Sequence, residues 1–233
     1  LSLSDPVWPK GCSLWDWRDL RHWPRRIVVE PGLCLWLDHG LEFGLPNSSL
    51  YFGCRALQAR GKAGQRVLTE LYIALVNDTL SELTYPAFLA GVNFKLYAHR
   101  RGFSLRIEGF NDRQPQLLEA ILDRLAKPVI DPTRFARLRE DLVIRLRNRP
   151  RGDPNHRALG ALHRLLLERS WPPSALVTVA KAITIEEIKT FPKTLFSETN
   201  AVMLAHGNIS EAEAHAAARQ FSDRLLAAGK RIE

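Results

Sequence analysis

The chain has 233 residues, 45% of them hydrophobic, with 33 Lys and Arg against 25 Asp and Glu, a net charge of +8. That is enough apolar content for one large or two small packed domains, which excludes a disordered polyelectrolyte. No apolar run approaches the ~20 residues a membrane-spanning helix needs. The sequence opens at Leu1 and holds a single methionine, Met203, so a piece of a longer polypeptide is expected.

Residues Leu1 to Pro31 carry Trp8, Trp15, Trp17 and Trp23 among four prolines and show no periodicity. Tryptophan-rich segments seek packing partners, so residues 1–32 read as an irregular arm entering from a preceding domain. Leu33 to Leu37 is a short strand, His39-Gly40 a turn, Leu41 to Leu45 a return strand broken by Pro46, and Ser49 to Arg55 the next strand. Gln58 to Ala63 is a polar connection. Leu68, Leu71, Tyr72, Leu75, Val76, Thr79, Leu80 and Leu83 then fall on one stripe of a long helix. Tyr85-Pro86 is expected to kink or split that helix, with the pattern resuming through Phe88, Leu89 and Val92. Phe94, Leu96 and Ala98, then Phe103, Leu105 and Ile107, alternate with polar residues around Arg100-Arg101-Gly102, which predicts a β-hairpin with one buried face.

Past the hairpin, Asp112 is the expected N-cap of a helix carrying Leu117, Leu118, Ile121, Leu122 and Leu125. Asp131-Pro132 opens another, in which Phe135, Leu138, Leu142 and Leu146 form the buried stripe. Arginines cover its other faces with Glu140 and Asp141 among them, as on the solvated side of a packed helix. Asn148 to Asn155 is the strongest break. It is followed by a helix with Leu159, Leu162, Leu165 and Leu166, a short one after Pro172-Pro173, and one opened by a Thr184/Glu187 capping box. Ala201 to Ala205 is a late strand, and Ser210 with Glu213 caps the final helix through Phe221, Leu225 and Leu226. A strand so late must pair with the early ones. The expectation is an α+β fold, two-layered, with a mainly antiparallel sheet and helices on one face, forming a single domain over residues 33–233.

The residues offer little chemistry. The histidines, His22, His39, His99, His156, His163, His206 and His215, form neither His-Glu-x-x-His nor His-x-x-Glu-His, and His156 and His163 share a helix without a carboxylate between them. No phosphate loop, dinucleotide fingerprint or Gly-x-Ser-x-Gly elbow occurs. Cys12, Cys34 and Cys54 are too few and too far apart for a disulfide framework or zinc knuckle, and Cys34 and Cys54 read as small buried hydrophobes. No catalytic, metal-binding or cofactor-binding residue is expected.

As text, the middle of the chain says more. Leu-Val-Asn-Asp-Thr-Leu-Ser-Glu-Leu-Thr-Tyr-Pro-Ala-Phe-Leu at 75–89, followed by Ala90-Gly91-Val92, resembles the third domain of the pitrilysin and insulin-degrading-enzyme family of inverted zinc metallopeptidases. Gly109-Phe110-Asn111-Asp112-Arg113-Gln114-Pro115 is similar to that family's Gly-Tyr-Asn-Asp-Lys-Gln-Pro loop. Leu35-Trp36, Pro46, Ile130-Asp131 with Arg134-Phe135, and Leu204 to Ile209 fit in the same order. The departures are the Arg149 to Asn155 loop and the tryptophan-rich arm.

The resemblance implies a non-catalytic domain of a zinc metalloendopeptidase that degrades or processes peptides. Zinc would be held by a His-x-x-Glu-His motif in another domain, with no cofactor in this chain. It implies as partners the other domains of the same polypeptide and a peptide substrate enclosed between two bowl-shaped halves, with no membrane and no dedicated nucleic-acid face. A protease-like branch serving pyrroloquinoline-quinone biosynthesis shares the architecture, so cytoplasm and periplasm both stay open. The alternative from another class is a proteolytically inactive family member acting as an interaction module.

Overall fold

The computed structural model describes residues 24–39, 46–56, 61–151, 153–167, 170–226 and 230–231. The four N-terminal tryptophans, Cys12 and the expected Leu41 to Leu45 strand lie outside them.

Period-2 alternation produces the sheet. Its strands are β1 (Arg25–Glu30), β2 (Leu33–Asp38), β3 (Asn47–Ala56), β4 (Val92–His99), β5 (Gly102–Phe110), β6 (Glu198–Gly207) and β7 (Lys230–Arg231). They lie in the order β1-β2-β6-β3-β5-β4, with β7 beside the start of β6. β6 enters between β2, to which it is parallel, and β3, to which it is antiparallel. The late strand therefore joins the two ends of the sequence in the middle of one sheet, as expected. β4 and β5 form the hairpin predicted around Arg100-Arg101. One expectation is corrected: residues 25–30 are not part of an irregular arm but pair antiparallel with β2. Their Arg-Arg-Ile-Val-Val-Glu run is half polar and suits an exposed edge strand, which hid it from a search for buried alternation.

Alternate residues of the strands, among them Leu35, Leu37, Phe52, Cys54, Leu105, Ile107 and Met203, bury one face of the sheet. The other face is mixed. There the Arg106 guanidinium lies 5.1 Å from the Tyr51 ring centre and the Lys95 ammonium 5.8 Å from that of Tyr97. Cys34 and Cys54 are free thiols on opposite faces, so no disulfide joins them. Burial pushes the Cys54 thiol far above its ordinary value, leaving it inert.

Helix α1 (Ala63–Leu89) lies on the buried face with α2 (Gln114–Ala126), α6 (Ile185–Leu195) and α7 (Glu211–Phe221). Phe221 stacks on Phe52 with ring centres 4.9 Å apart, and Phe196, just after α6, meets Phe103 edge-on at 6.0 Å. On its far side α1 buries Val67, Leu71 and Leu75 in a second cluster against α3 (Pro132–Asn148) and α5 (Pro173–Ala182). Tyr72 donates its hydroxyl proton to the Leu125 carbonyl, tying α1 to the end of α2. Asn77 Nδ2 donates to the Leu96 carbonyl at 2.9 Å, tying α1 to β4. A further helix, α4 (Pro154–Leu166), projects Leu159, Leu165 and Leu166 to solvent.

Pro86 does not split α1. It sits in the last turn, where the helix runs on past it to Leu89 although Pro86 has no amide to give the carbonyl one turn back, and the turn is closed by Ala90 N–H to Pro86 O (3.0 Å) and Gly91 N–H to Phe88 O (2.9 Å). Gly91 then reverses the chain at φ 71°. Consequently Phe88 and Leu89 do not rejoin the core and, with Tyr85, are more than 60% exposed. Asp112 is not an N-cap either. It sits in a 3-10 turn, Asn111–Arg113, and α2 begins at Gln114 with Pro115 in its first turn. Asp131 caps α3 as expected, accepting from Arg134 N–H at 2.8 Å, and the two capping boxes at Thr184/Glu187 and Ser210/Glu213 both form.

The hairpin exit fixes one glycine. Gly109 has φ 124°, and a Cβ there would stand 2.0 Å from the Gly91 carbonyl oxygen. Gly109→Ala is expected to cost at least about 2 kcal/mol in urea unfolding, through strain plus backbone displacement. A change below about 0.5 kcal/mol, the usual size of a neutral surface substitution, would show that this close approach is not rigid.

Candidate functional site

Two places gather polar side chains. The first is the loop 109–115, a backbone clamp. Gln114, almost fully buried at 2% exposure, donates both amide hydrogens, to Ser48 O (2.8 Å) and Gly109 O (3.0 Å). Asn111 Nδ2 reaches Asn208 O at 3.0 Å, and Asn208 N–H returns to Asn47 O at 2.9 Å. Amide side chains at fixed spacing thus fasten the ends of β3, β5 and β6 together. Their role is positional, and it explains why the 3-10 turn displaces the cap expected at Asp112.

The second is a cavity of about 560 Å³ at the N-terminal end of α1, lined by Arg66, Arg100, Arg149, Arg157 and Arg164, with Trp171 and Leu176 on its apolar side. The five arginines come from α1, the β4–β5 turn, the 3-10 turn after α3, and α4. Gly160 and Ala161 of α4 also line it, and Arg164 Nη1 lies 3.6 Å from where a Cβ on Gly160 would stand. Among the described residues lining the cavity there is no Asp or Glu. Glu70, one turn along α1, lies 3.6 Å from Arg149. Burial pushes the Arg66 guanidinium below its ordinary value; Glu70 offsets this in part, while Arg149 and Arg100 add to it. Arg66 also stands in the first turn of a helix without an acidic residue there, where the helix's own partial charge is positive.

His99, at the end of β4, is close enough to these arginines for Arg66 to act on it. Its Nδ1 accepts from the Arg101 amide at 3.1 Å, which places any ring proton on Nε2. Burial lowers its affinity for a second proton; a hydrogen bond with the Phe103 backbone opposes this, and Arg101, Arg55 and Arg66 reinforce it.

The sequence reading missed this cavity because positions 66, 100, 149, 157 and 164 lie in four separate segments that only the fold brings together. The available signals were the Arg100-Arg101 turn and the Arg-rich Arg149 to Asn155 loop. Among the described residues the histidines do not converge. His163 lines the cavity, His206 Nδ1 meets Asp38 Oδ2 at 2.9 Å, and His215 lies 3.7 Å from Glu211. His22 and the side chain of His156 are outside the described residues. Glu140 and Asp141 are exposed on α3, whose Arg134 and Arg137 find Asp78 of α1 instead (3.3 and 2.6 Å), as Arg149 of the following 3-10 turn finds Glu70.

With this geometry in place, residues 15–179 match the family model described as the middle or third domain of peptidase M16. The chain belongs to that family. It is 30% identical over 192 residues to insulin-degrading enzyme of Homo sapiens, covering 82% of this chain and 19% of that protein. It is likewise 30% identical over 202 residues to the nardilysin-like protein of Arabidopsis thaliana, covering 87% and 20%. The chain thus spans about a fifth of the length of the curated relatives it matches. Its fold superposes on the crystal structure of pitrilysin with a TM-score of 0.83 at 21% identity, over 90% of this chain and 22% of that one. It superposes on a peptidase M16 inactive domain from Pseudomonas fluorescens with a TM-score of 0.63 at 15% identity, over 89% and 51%. The expected family and α+β architecture are those observed.

The peptidase M16 middle domain seen here makes a specific demand on pH. Because folding depresses the His99 pKa, the unfolded chain binds a proton that the folded chain refuses. The stability from neutral His99 is present above the ordinary imidazole value of about 6.5 and is lost as pH falls below it. Urea unfolding of wild type and His99→Gln between about pH 8 and pH 5 should show wild type losing more stability on acidification. Parallel curves would mean the ring is not held neutral.

Proposed function

We propose that this chain is a wall-forming, non-catalytic domain of a zinc metallopeptidase, contributing neither a catalytic residue nor a metal ligand of its own. The match over residues 15–179 to the middle or third domain of peptidase M16 carries the reading. The family's motifs support it, because their side chains are spent on the fold: Gln114 and Asn111 clamp strand ends, and Asn77 pins α1 to β4. In the parent protein, zinc would be held by an inverted His-x-x-Glu-His motif elsewhere in the polypeptide, where it would activate water for peptide hydrolysis. This domain would help enclose an unfolded peptide between two halves, shutting out folded proteins by size and bulk water by closure. On this reading the N-terminal segment before β1 enters from the preceding domain, and β1 to β7 act as one unit.

A second reading, a proteolytically inactive family member serving as an interaction module, has the same fold; the presence of His-x-x-Glu-His in the parent reading frame separates the two. The test on this chain is direct. After incubation with zinc and dialysis, metal analysis should find substoichiometric zinc, and mass spectrometry should find unstructured peptides uncleaved. Stoichiometric retention through its own side chains, or cleavage that copurifies with the chain, would overturn the proposal.

A further inference from the structure

We propose that a second cavity, between the start of β3, the start of α2 and helix α7, binds a small neutral aromatic ring carrying an N–H donor, of the indole class. The inference stands apart from the chamber-wall reading, since it requires only this cavity.

The cavity holds about 320 Å³ and adjoins the amide clamp, whose Asn111 and Gln114 line it. Its walls are largely apolar: Leu50 of β3, Pro115 of α2, Ile209 just after β6, and Ala216 and Ala217 of α7. Two buried polar atoms on its lining residues are left over. Gln114 Nε2 donates to Ser48 O and to Gly109 O, which fixes the orientation of the amide and leaves Oε1 without a donor. Ser48 Oγ has no partner either, and Ser48 is only 3% exposed. Buried polar atoms are costly to leave unpaired, and both of these accept hydrogen bonds. What the site lacks is a donor.

The remaining features narrow the class. Glu213 stands among the lining residues, and its hydrogen bonds with the Ser210 side chain and backbone hold its carboxyl below the ordinary value, so it stays ionised and repels an anion. Its Oε2 is already taken by both Ser210 donors in the capping box of α7, which leaves it a poor partner for a cation. Among the described lining residues there is no Lys or Arg. A neutral ligand fits that balance. The volume lies at the low end of ligand sites, which favours a fused bicyclic ring over a single ring or a long chain. A rigid ring also loses no internal rotation on entering, as an aliphatic chain would. An apolar bicycle with one N–H is an indole, either free or as the tryptophan side chain of a peptide.

Nuclear magnetic resonance titration of the isotope-labelled chain with indole is the test, with benzofuran and N-acetyl-tryptophanamide as comparison ligands. Indole should shift the amides around Ser48, Gln114 and Ala217 saturably. Benzofuran, the same ring with oxygen in place of N–H, should bind about threefold to tenfold more weakly, the loss of one hydrogen bond. N-acetyl-tryptophanamide binding as tightly as indole would assign the cavity to a peptide's tryptophan, and weaker binding to a free ring; both fit the class. Ala216 lines the cavity yet is exposed on α7, so Ala216→Leu should fill the entrance and cut indole affinity at least about tenfold while leaving the circular-dichroism melt unchanged. Ala212→Leu, exposed on α7 away from the lining residues, should leave binding unchanged. Absence of saturable shifts, benzofuran binding as tightly as indole, or unaltered affinity in Ala216→Leu would each overturn the proposal.

Discussion

The constraint on which the structure depends is that helix α1 is buried along two sides at once. Tyr72, Ile73, Val76 and Leu80 pack toward the sheet, while Val67, Leu71 and Leu75 pack toward α3 and α5. A helix enclosed in this way becomes apolar over most of its circumference, and its sequence loses the contrast of a surface helix. The consequence is mechanical. The sheet cluster and the outer helical cluster have no way to separate without exposing the middle of α1, so the two are joined through one element. The polar anchors reinforce this: the Tyr72 hydroxyl on Leu125 O and the Asn77 amide on Leu96 O fix the rotation of α1 against α2 and β4.

Much of the fold could be read from the residues because its devices are local. Alternation wrote the β4–β5 hairpin, capping boxes wrote the starts of α6 and α7, and Asp131-Pro132 wrote the start of α3. Where the reading failed, a non-local effect had taken over. Strand β1 is an edge strand with little apolar alternation, so only its partner β2 reveals it. Pro86 was read as a kink or break, but the helix continues through it to Leu89 before Gly91 turns the chain. The apolar Phe88 and Leu89 were read as core because periodicity cannot tell a helix end lying on the protein from one that projects past it. Asp112 sits in a 3-10 turn instead of capping α2, between Asn111 and Gln114, which both bond to backbone carbonyls. The candidate site was the least legible part, since each of the five arginines looks like surface charge in its own segment.

Charge is distributed with the same division. On the outer helical layer, arginines meet carboxylates across helices and act as partly solvated fasteners, each worth little alone. At the N-terminal end of α1, Glu70 meets Arg149 at 3.6 Å and acts on Arg66 as well. Five arginines from four segments come together where the β4–β5 turn, the start of α1 and helix α4 meet.

The central claim, that α1 binds both clusters into one cooperative unit, is tested most directly by native-state hydrogen exchange across a urea series. The account predicts that amides in the middle of α1, in β3 and β5, and in α3 and α5 merge onto one opening free energy equal to that of global unfolding. If α3 and α5 opened together at a clearly lower free energy while α1 and the sheet stayed protected, the outer cluster would be a separable layer and the account would be contradicted.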